Sequence, residues 1–125
     1  MEPAEQVLEK IGLLDRANVI AANLAHGEQR QLELAMVMAT KPKLLLLDEP
    51  TAGMGPEEST AMATMLRELK GQYTILLIEH DMDTVFALSD RISVLVYGKT
   101  IATGTPDEIR NNDDVKRAYL GEEGA

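Results

Sequence analysis

The stretch LLLLDEPTAG, residues 44–53, decides the fold. Its four leucines form a run that is short for a helix and typical of a parallel strand buried on both faces. Asp48 and Glu49 follow at the carboxyl end of that strand, where open α/β sheets bind their ligands. Neighbouring side chains on an extended chain point in different directions, so one carboxylate can face a metal while the other faces a water. Pro50 ends the ladder pairing and fixes a turn.

Helical and extended patterns alternate on both sides of this stretch, which indicates an α/β fold with parallel core strands flanked by helices. We predict helices over 3–11, 27–39, 56–69 and 81–88, and buried strands over 44–48 and 73–78. A third strand over 92–97, a turn at Gly98–Lys99, an extended piece over 100–103 and a capped helix from Thr105 follow. The inward residues of the second and third helices are expected to be Leu32, Ala35, Met36 and Ala39, and Ala61, Met62, Met65, Leu66 and Leu69.

Composition narrows the class of protein. Twelve basic against twenty-one acidic residues give a net charge of −9, which argues against a nucleic-acid partner. The chain has no cysteine, so it has no disulfide framework, and this fits a reducing cytoplasm. No apolar run approaches the roughly 18 residues that span a bilayer, and the first residues are acidic and helix-like, unlike a signal peptide.

The Asp-Glu-Pro sequence alone can also be interpreted as a capped strand end that has no catalytic role. His80 closes the next strand in LLIEHD, and a lone strand-end histidine is more often structural than catalytic. A metal hydrolase that uses Asp48, Glu49 and His80 is a further alternative, although nothing else at metal-ligand spacing accompanies them. The order of the motifs along the chain favours another interpretation.

The segment NLAHGEQRQLELAMVMATKPKLLLLDEPTAGMGPEES, followed by LLIEHDM, closely resembles the nucleotide-binding subunit of ATP-binding cassette (ABC) transporters. The resemblance runs from about residue 4 to residue 121. Leu24, Ala25, His26, Gly27 and Glu28 match the signature motif, and 44–49 matches Walker B. Residues 52–55, with Gly53 and Met54, match the D-loop, and His80 matches the switch histidine. Within this family, the sequence is most similar to importers of branched-chain amino acids, or of urea and short amides. The segments that carry this similarity are LAHGEQRQLE, DEPTAGM and AYLGE.

The resemblance implies a role for each matching position. Asp48 would help to hold Mg²⁺, Glu49 would be the general base for the attacking water, and His80 would contact the γ-phosphate of ATP. The signature segment opens a helix, whose N–H groups and positive end suit a phosphate. In this family, that phosphate belongs to ATP held by a second subunit.

Several features depart from the family pattern. Ala25 replaces the usual signature serine, His26 a glycine and Glu28 a glutamine, and Gly55 stands where many members have aspartate. The Walker A sequence Gly-x-x-x-x-Gly-Lys-Ser/Thr is absent. The GKT at 98–100 does not replace it, because Ser93 occupies the first glycine position. The glutamine of the Q-loop and the adenine-stacking aromatic are also absent, and the three tyrosines, Tyr73, Tyr97 and Tyr119, are interpreted as packing residues.

We therefore expect a partial P-loop NTPase fold that lacks the N-terminal Walker A half. The expected organisation is the end of a helical subdomain with the signature helix over 1–42, a core over 43–97 and a C-terminal tail over 98–125. The implied function is that of an ATPase subunit, or a fragment of one, using ATP and Mg²⁺. Its implied partners are permease transmembrane subunits, a second identical or different ATPase subunit and, indirectly, a periplasmic or extracellular solute-binding protein.

The expected location is cytoplasmic, peripheral on the inner face of the membrane. The alternative is a non-catalytic remnant that only docks on permease or partner ATPase subunits. In either case, the core strands would lack sheet neighbours, so we expect exposed apolar surface on this chain.

Overall fold

A computed structural model describes residues 2–120, with the side chain of Leu120 excepted. The end of the AYLGE stretch, residues 121–122, lies outside the described residues, as do residues 123–125 of the predicted tail. The chain divides into two compact units, residues 1–79 and 80–125. The helices are α1 (Pro3–Ile11), α2 (His26–Met38), α3 (Pro56–Leu69), α4 (Met82–Leu88), α5 (Pro106–Arg110) and α6 (Asp113–Val115). The strands are β1 (Leu44–Asp48), β2 (Thr74–Ile78), β3 (Ile92–Val96) and β4 (Lys99–Gly104).

Short turns complete the first and last parts of the described chain. Leu14–Arg16 and Ala21–Asn23 are single turns of 3₁₀-helix, and Lys116–Leu120 is a π-helical turn. Among residues 2–120, no helix is both long and apolar enough to cross a bilayer.

The first unit is built on a parallel pair of strands. β1 and β2 pair in register from Leu44–Thr74 to Asp48–Ile78, as the sequence predicts. Helix α1 ends at Gly12, whose φ of 86° places it in the left-handed region that glycine adopts readily. Pro56 begins α3, where its missing N–H costs nothing.

The predicted inward faces of the helices are partly right. In α3, Met62, Met65, Leu66 and Leu69 are buried as expected, whereas Ala61 is exposed. In α2, the buried residues are Leu34, Ala35 and Met38, and Met36 is 65% exposed. The reason is that six of the seven residues in LELAMVM are apolar and lie around most of the helix circumference. Periodicity therefore does not single out one buried face of this helix.

The prediction that 44–48 is a strand buried on both faces, and 73–78 a second buried strand, is wrong for this chain. Leu45 is fully buried, but Leu46 is 67%, Leu76 57% and Ile78 56% exposed. Because side chains alternate along a strand, these residues share one face, which we call the open sheet face. The expectation of exposed apolar surface is thereby confirmed.

The second unit contains an antiparallel hairpin of β3 and β4. Tyr97 and Gly98 connect the strands with φ values of 48° and 77°, as a two-residue hairpin turn of this hand requires. The turn lies one residue earlier than predicted, and Tyr97 is fully exposed at it, not packed. Lys99 and Thr100 begin β4, which confirms that GKT is not followed by a helix and is no phosphate loop.

A small apolar core and a capped helix hold this second unit together. The core consists of Ile92, Val94, Ile109 and Val115, with Val85, Phe86, Ile101 and Ala102 packed against it. Thr105 and Glu108 form the predicted capping box at α5, with side chain-to-backbone bonds of 3.2 and 3.0 Å. The hydrogen bonds from the Thr105 backbone and side chain hold the pKa of Glu108 below its ordinary value.

Neighbouring leucines of β1 provide a matched test of this arrangement. We expect Leu45→Ala to lower the free energy of unfolding by about 2–5 kcal/mol, because Leu45 is fully buried. Leu46→Ala should change it by less than about 1 kcal/mol, because that side chain is mostly in solvent. Urea unfolding of this chain, followed by circular dichroism, measures both. Equal losses in the two variants would contradict the assigned faces of β1.

Candidate functional site

Asp48 and Glu49 lie where β1 ends, as the sequence predicts, but in different environments. Asp48 is exposed and pairs in register with Ile78, on the same face as Leu46. Glu49 is half-buried, and its N–H donates to the Ile78 carbonyl at 2.6 Å. Its φ of 48° lies in the left-handed region, which is uncommon for a residue with a side chain and often marks a functional site. The two carboxylates are thus separated by a change in backbone direction.

The turn after Glu49 is held by residues that the sequence analysis did not single out. The Thr51 hydroxyl donates to a carboxylate oxygen of Glu79 at 2.7 Å, and the Thr51 N–H reaches the same oxygen at 3.3 Å. Thr51 is 7% exposed. This contact could have been predicted from the parallel pairing of β1 and β2, because the pairing places the residues after Asp48 beside the residue after Ile78.

The signature segment begins α2, as predicted, with Ala25 at the N-cap and His26 as the first helical residue. The Ala25 N–H donates to the Glu28 carboxylate at 3.1 Å, and the other oxygen of that carboxylate lies 3.0 Å from Nε of Arg16. The acid that replaces the family's glutamine therefore caps its own helix, and a cation accompanies it. Arg16 is a second residue that the sequence analysis did not identify.

The start of α2 keeps free helical N–H groups at this position. The first helical hydrogen bond runs from the Gln29 N–H to the Ala25 carbonyl at 2.9 Å, so the N–H groups of His26, Gly27 and Glu28 have no partner within the helix. A Cβ on Gly27 would stand 2.5 Å from a carboxylate oxygen of Glu58. Only glycine fits there without displacing Glu58.

His26 brings the signature segment against the D-loop of the same chain. A Cβ on Gly53 would lie 3.2 Å from Nε2 of His26, and Gly53 has a φ of 78°. Glycine is therefore favoured at Gly53 both by its backbone conformation and by the imidazole beside it. Met54, the next predicted D-loop residue, is half-buried, and its N–H donates to the Thr51 carbonyl at 3.1 Å.

The two remaining predicted site residues are Leu24 and His80. Leu24 is half-buried after the Ala21–Asn23 turn, to which its N–H donates. His80 is exposed and directly follows Glu79, as the first residue of the second compact unit. Its predicted contact with a phosphate stays a prediction.

An open cleft of about 200 Å³ lies beside β1. Most of its lining is apolar, and its polar residues are Arg30 and Glu33 of α2 together with Asp48. The full lining is Arg30, Glu33, Leu34, Val37, Leu46, Leu47, Asp48, Pro50, Met62 and Leu66. A triphosphate needs several cations or N–H donors, so this cleft does not suit it.

The residues fit Mg²⁺ and ATP to different degrees. Residues 2–120 contain no group of three or more acidic, histidine or cysteine side chains arranged for a metal. Asp48 alone nevertheless fits Mg²⁺ bound mainly by phosphates and waters, since such sites use one or two carboxylates. For ATP, the helix start at His26–Glu28 offers donors to a phosphate, whereas the sequence contains no phosphate loop that would hold a triphosphate.

Comparison with protein families and curated proteins gives consistent matches. Residues 1–52 match the ABC transporter family, and residues 99–125 match the branched-chain amino acid ATP-binding cassette transporter family. The high-affinity branched-chain amino acid transport ATP-binding protein LivG is 53% identical in Salmonella typhimurium and 52% identical in Escherichia coli. BraF of Pseudomonas aeruginosa, described by the same words, is 47% identical. Each match covers 98% of this chain and 49% of the relative.

Solved structures give the same result. The ADP conformation of MJ1267, an ATP-binding cassette of an ABC transporter, superposes with a TM-score of 0.85 at 30% identity. A nucleotide-free ATP-binding cassette from an ABC transporter gives 0.84, also at 30% identity. Each match covers 96% of this chain and 49% of the solved one, so the chain spans about half the length of the proteins it matches.

The comparisons agree with the motif order and confirm the predicted fold class, a partial P-loop NTPase fold. They give no support to the unrelated metal hydrolase. The chain belongs to the ATP-binding proteins of ABC transporters, and it corresponds to about half of a protein of the LivG and BraF type.

Proposed function

We propose that this chain supplies the Walker B, signature, D-loop and switch residues of an ABC importer ATPase that powers the uptake of branched-chain amino acids. The observation that carries the proposal is the Asp48–Glu49 pair at the end of a parallel strand, in a chain 47–53% identical to LivG and BraF. Those relatives are named for high-affinity branched-chain amino acid transport. Urea and short-amide uptake, which the sequence resemblance also suggested, has no counterpart among these names.

Each carboxylate suits a separate task. Asp48 is exposed at the strand end and would hold Mg²⁺, which neutralises phosphate charge when it is bound. Glu49 is half-buried, and its carboxylate would accept the proton of the attacking water. His80 would donate a hydrogen bond to the transferred phosphate. Asp48 and Glu49 are kept apart because the backbone turns left-handed at Glu49.

The signature residues would act on a nucleotide that another subunit holds. Leu24, Ala25, His26, Gly27 and Glu28 bring a helix start to the surface, Gly53 of the D-loop lies beside His26, and Met54 follows Gly53 in the D-loop. A helix start offers N–H groups to one phosphate and does not enclose a triphosphate. The proposed partners are therefore a second ATPase subunit and the transmembrane permease subunits, with a solute-binding protein acting indirectly. The proposed location is cytoplasmic, on the inner face of the membrane.

A second candidate function is docking without catalysis. Two observations favour it for this chain by itself: the sequence contains no Walker A lysine, and the open sheet face exposes Leu46, Leu76 and Ile78. ATP hydrolysis by a longer polypeptide distinguishes the two candidate functions. This polypeptide consists of the half of Escherichia coli LivG that this chain does not match, followed by this chain, and we call it the completed subunit.

Glu49→Gln in the completed subunit tests the general base. We expect nucleotide binding to be unchanged and hydrolysis to fall roughly 10²–10⁴-fold, because an amide keeps the shape but cannot accept the proton. Phosphate release at saturating Mg·ATP measures the rate. Glu68→Gln, an exposed change on α3, is the matched control and should retain the normal rate. Near-normal turnover by Glu49→Gln would rule out this role.

His80→Ala in the completed subunit should also slow hydrolysis, roughly 10²–10³-fold, because a hydrogen bond to the transferred phosphate is lost. If His80 were only structural, the variant would melt at a lower temperature and keep its activity per folded molecule. Measuring the melting temperature and the rate on one preparation separates these outcomes.

The chain alone should not bind Mg·ATP measurably. A phosphate loop would supply several charge-assisted hydrogen bonds, and losing four at roughly 1.5 kcal/mol each removes about 6 kcal/mol. That loss corresponds to more than about four powers of ten in affinity. Calorimetry of the isolated chain is the measurement, and adding the other half as a separate polypeptide should restore binding if the two reassemble. A dissociation constant below about 100 μM, near −5.5 kcal/mol, for the chain alone would contradict the half-site assignment.

A further inference from the structure

The carboxylate of Glu79 holds the turn that follows Glu49. One of its oxygens accepts hydrogen bonds from both the hydroxyl and the N–H of Thr51, at 2.7 and 3.3 Å. Thr51 is buried and Glu79 is half-buried. A charged acceptor makes stronger hydrogen bonds than a neutral one, and more so away from water. The contact is therefore well suited to fixing the position of Thr51.

Glu49 depends on such support because its backbone is left-handed, with a φ of 48°. A residue with a side chain stays in this conformation only where its surroundings hold it. The Glu49 N–H donates to the Ile78 carbonyl at 2.6 Å, and its carbonyl accepts from the Ala52 N–H at 3.0 Å. Two residues further along the chain, Thr51 is bound by Glu79. Ile78, the last residue of β2, and Glu79, which follows it, thus fix the chain at Glu49 and just beyond it.

We propose that Glu79 is a positioning residue, which acts through Thr51 to keep the Glu49 carboxylate aimed at the attacking water. The inference rests on the proposed role of Glu49 as general base. Glu79 itself does not take the proton in this scheme. Its removal should reduce the catalytic rate more than the binding of nucleotide, because a small displacement of a catalytic group is costly while the phosphate-binding groups stay in place.

Variants of both partners in the completed subunit test the contact. Glu79→Ala and Thr51→Val should each lower kcat about 10- to 100-fold and change the Kd for Mg·ATP by less than about threefold. Thr51→Ser keeps both donors and should retain a near-normal kcat. The double variant Glu79→Ala/Thr51→Val should be no slower than Glu79→Ala alone, because Glu79→Ala already removes the hydrogen bond that the Thr51 hydroxyl makes. Glu68→Ala is the matched exposed control.

A purely structural role predicts a different pattern. The melting temperature would fall in Glu79→Ala, while kcat per folded molecule would stay normal, and that result would overturn the proposal. If Glu79→Ala does not fold, Thr51→Val carries the test. A normal kcat in Thr51→Val, or a kcat of Thr51→Ser as low as that of Thr51→Val, also overturns the proposal.

The failure of this inference is distinguishable from the failure of the proposed function. If Glu49→Gln is inactive and the Glu79 and Thr51 variants are normal, only the positioning role of Glu79 is wrong. If the completed subunit with no substitution does not hydrolyse ATP, or if Glu49→Gln hydrolyses it normally, the general-base role fails and the positioning role fails with it.

Discussion

The ladder between β1 and β2 runs from the Leu44–Thr74 pair to the Asp48–Ile78 pair and extends one residue further, through the Glu49 N–H. This pairing determines which side of each strand is buried, with Leu45 fully inside. It also brings the carboxyl ends of both strands to one edge. The turn that contains Glu49 therefore forms beside Glu79, and a shift of one residue in the register would separate them.

Two of the departures from the family's usual signature motif, Glu28 and His26, have physical partners within this chain. Glu28 caps the N–H of Ala25 and pairs with Arg16, so its negative charge is accompanied by a cation. His26 fills the space beside Gly53, whose lack of a side chain leaves room for the imidazole. These two substitutions are therefore accommodated by neighbouring residues of the same chain.

The open sheet face explains the main error of the sequence prediction. A continuous run of leucines indicates a strand covered on both sides, yet Leu46 and Leu76 are mostly exposed. The chain spans about half of its relatives, and the described residues cover only one side of β1 and β2. The hydrophobicity of a strand thus indicates that it is suited to being covered on both faces. It does not indicate whether the residues that cover it belong to the same segment of chain.

Local sequence determined much of this protein by itself. The motif order, the start of α3 at Pro56, the end of α1 at Gly12 and the Thr105–Glu108 capping box all follow from neighbouring residues. The same information placed Asp48 and Glu49 at a strand end. Only the tertiary structure decided which faces of α2 and β1 are covered, since that depends on what packs against them. It also decided the Thr51–Glu79 contact, because a hydrogen bond between residues 28 positions apart exists only after the two strands have paired.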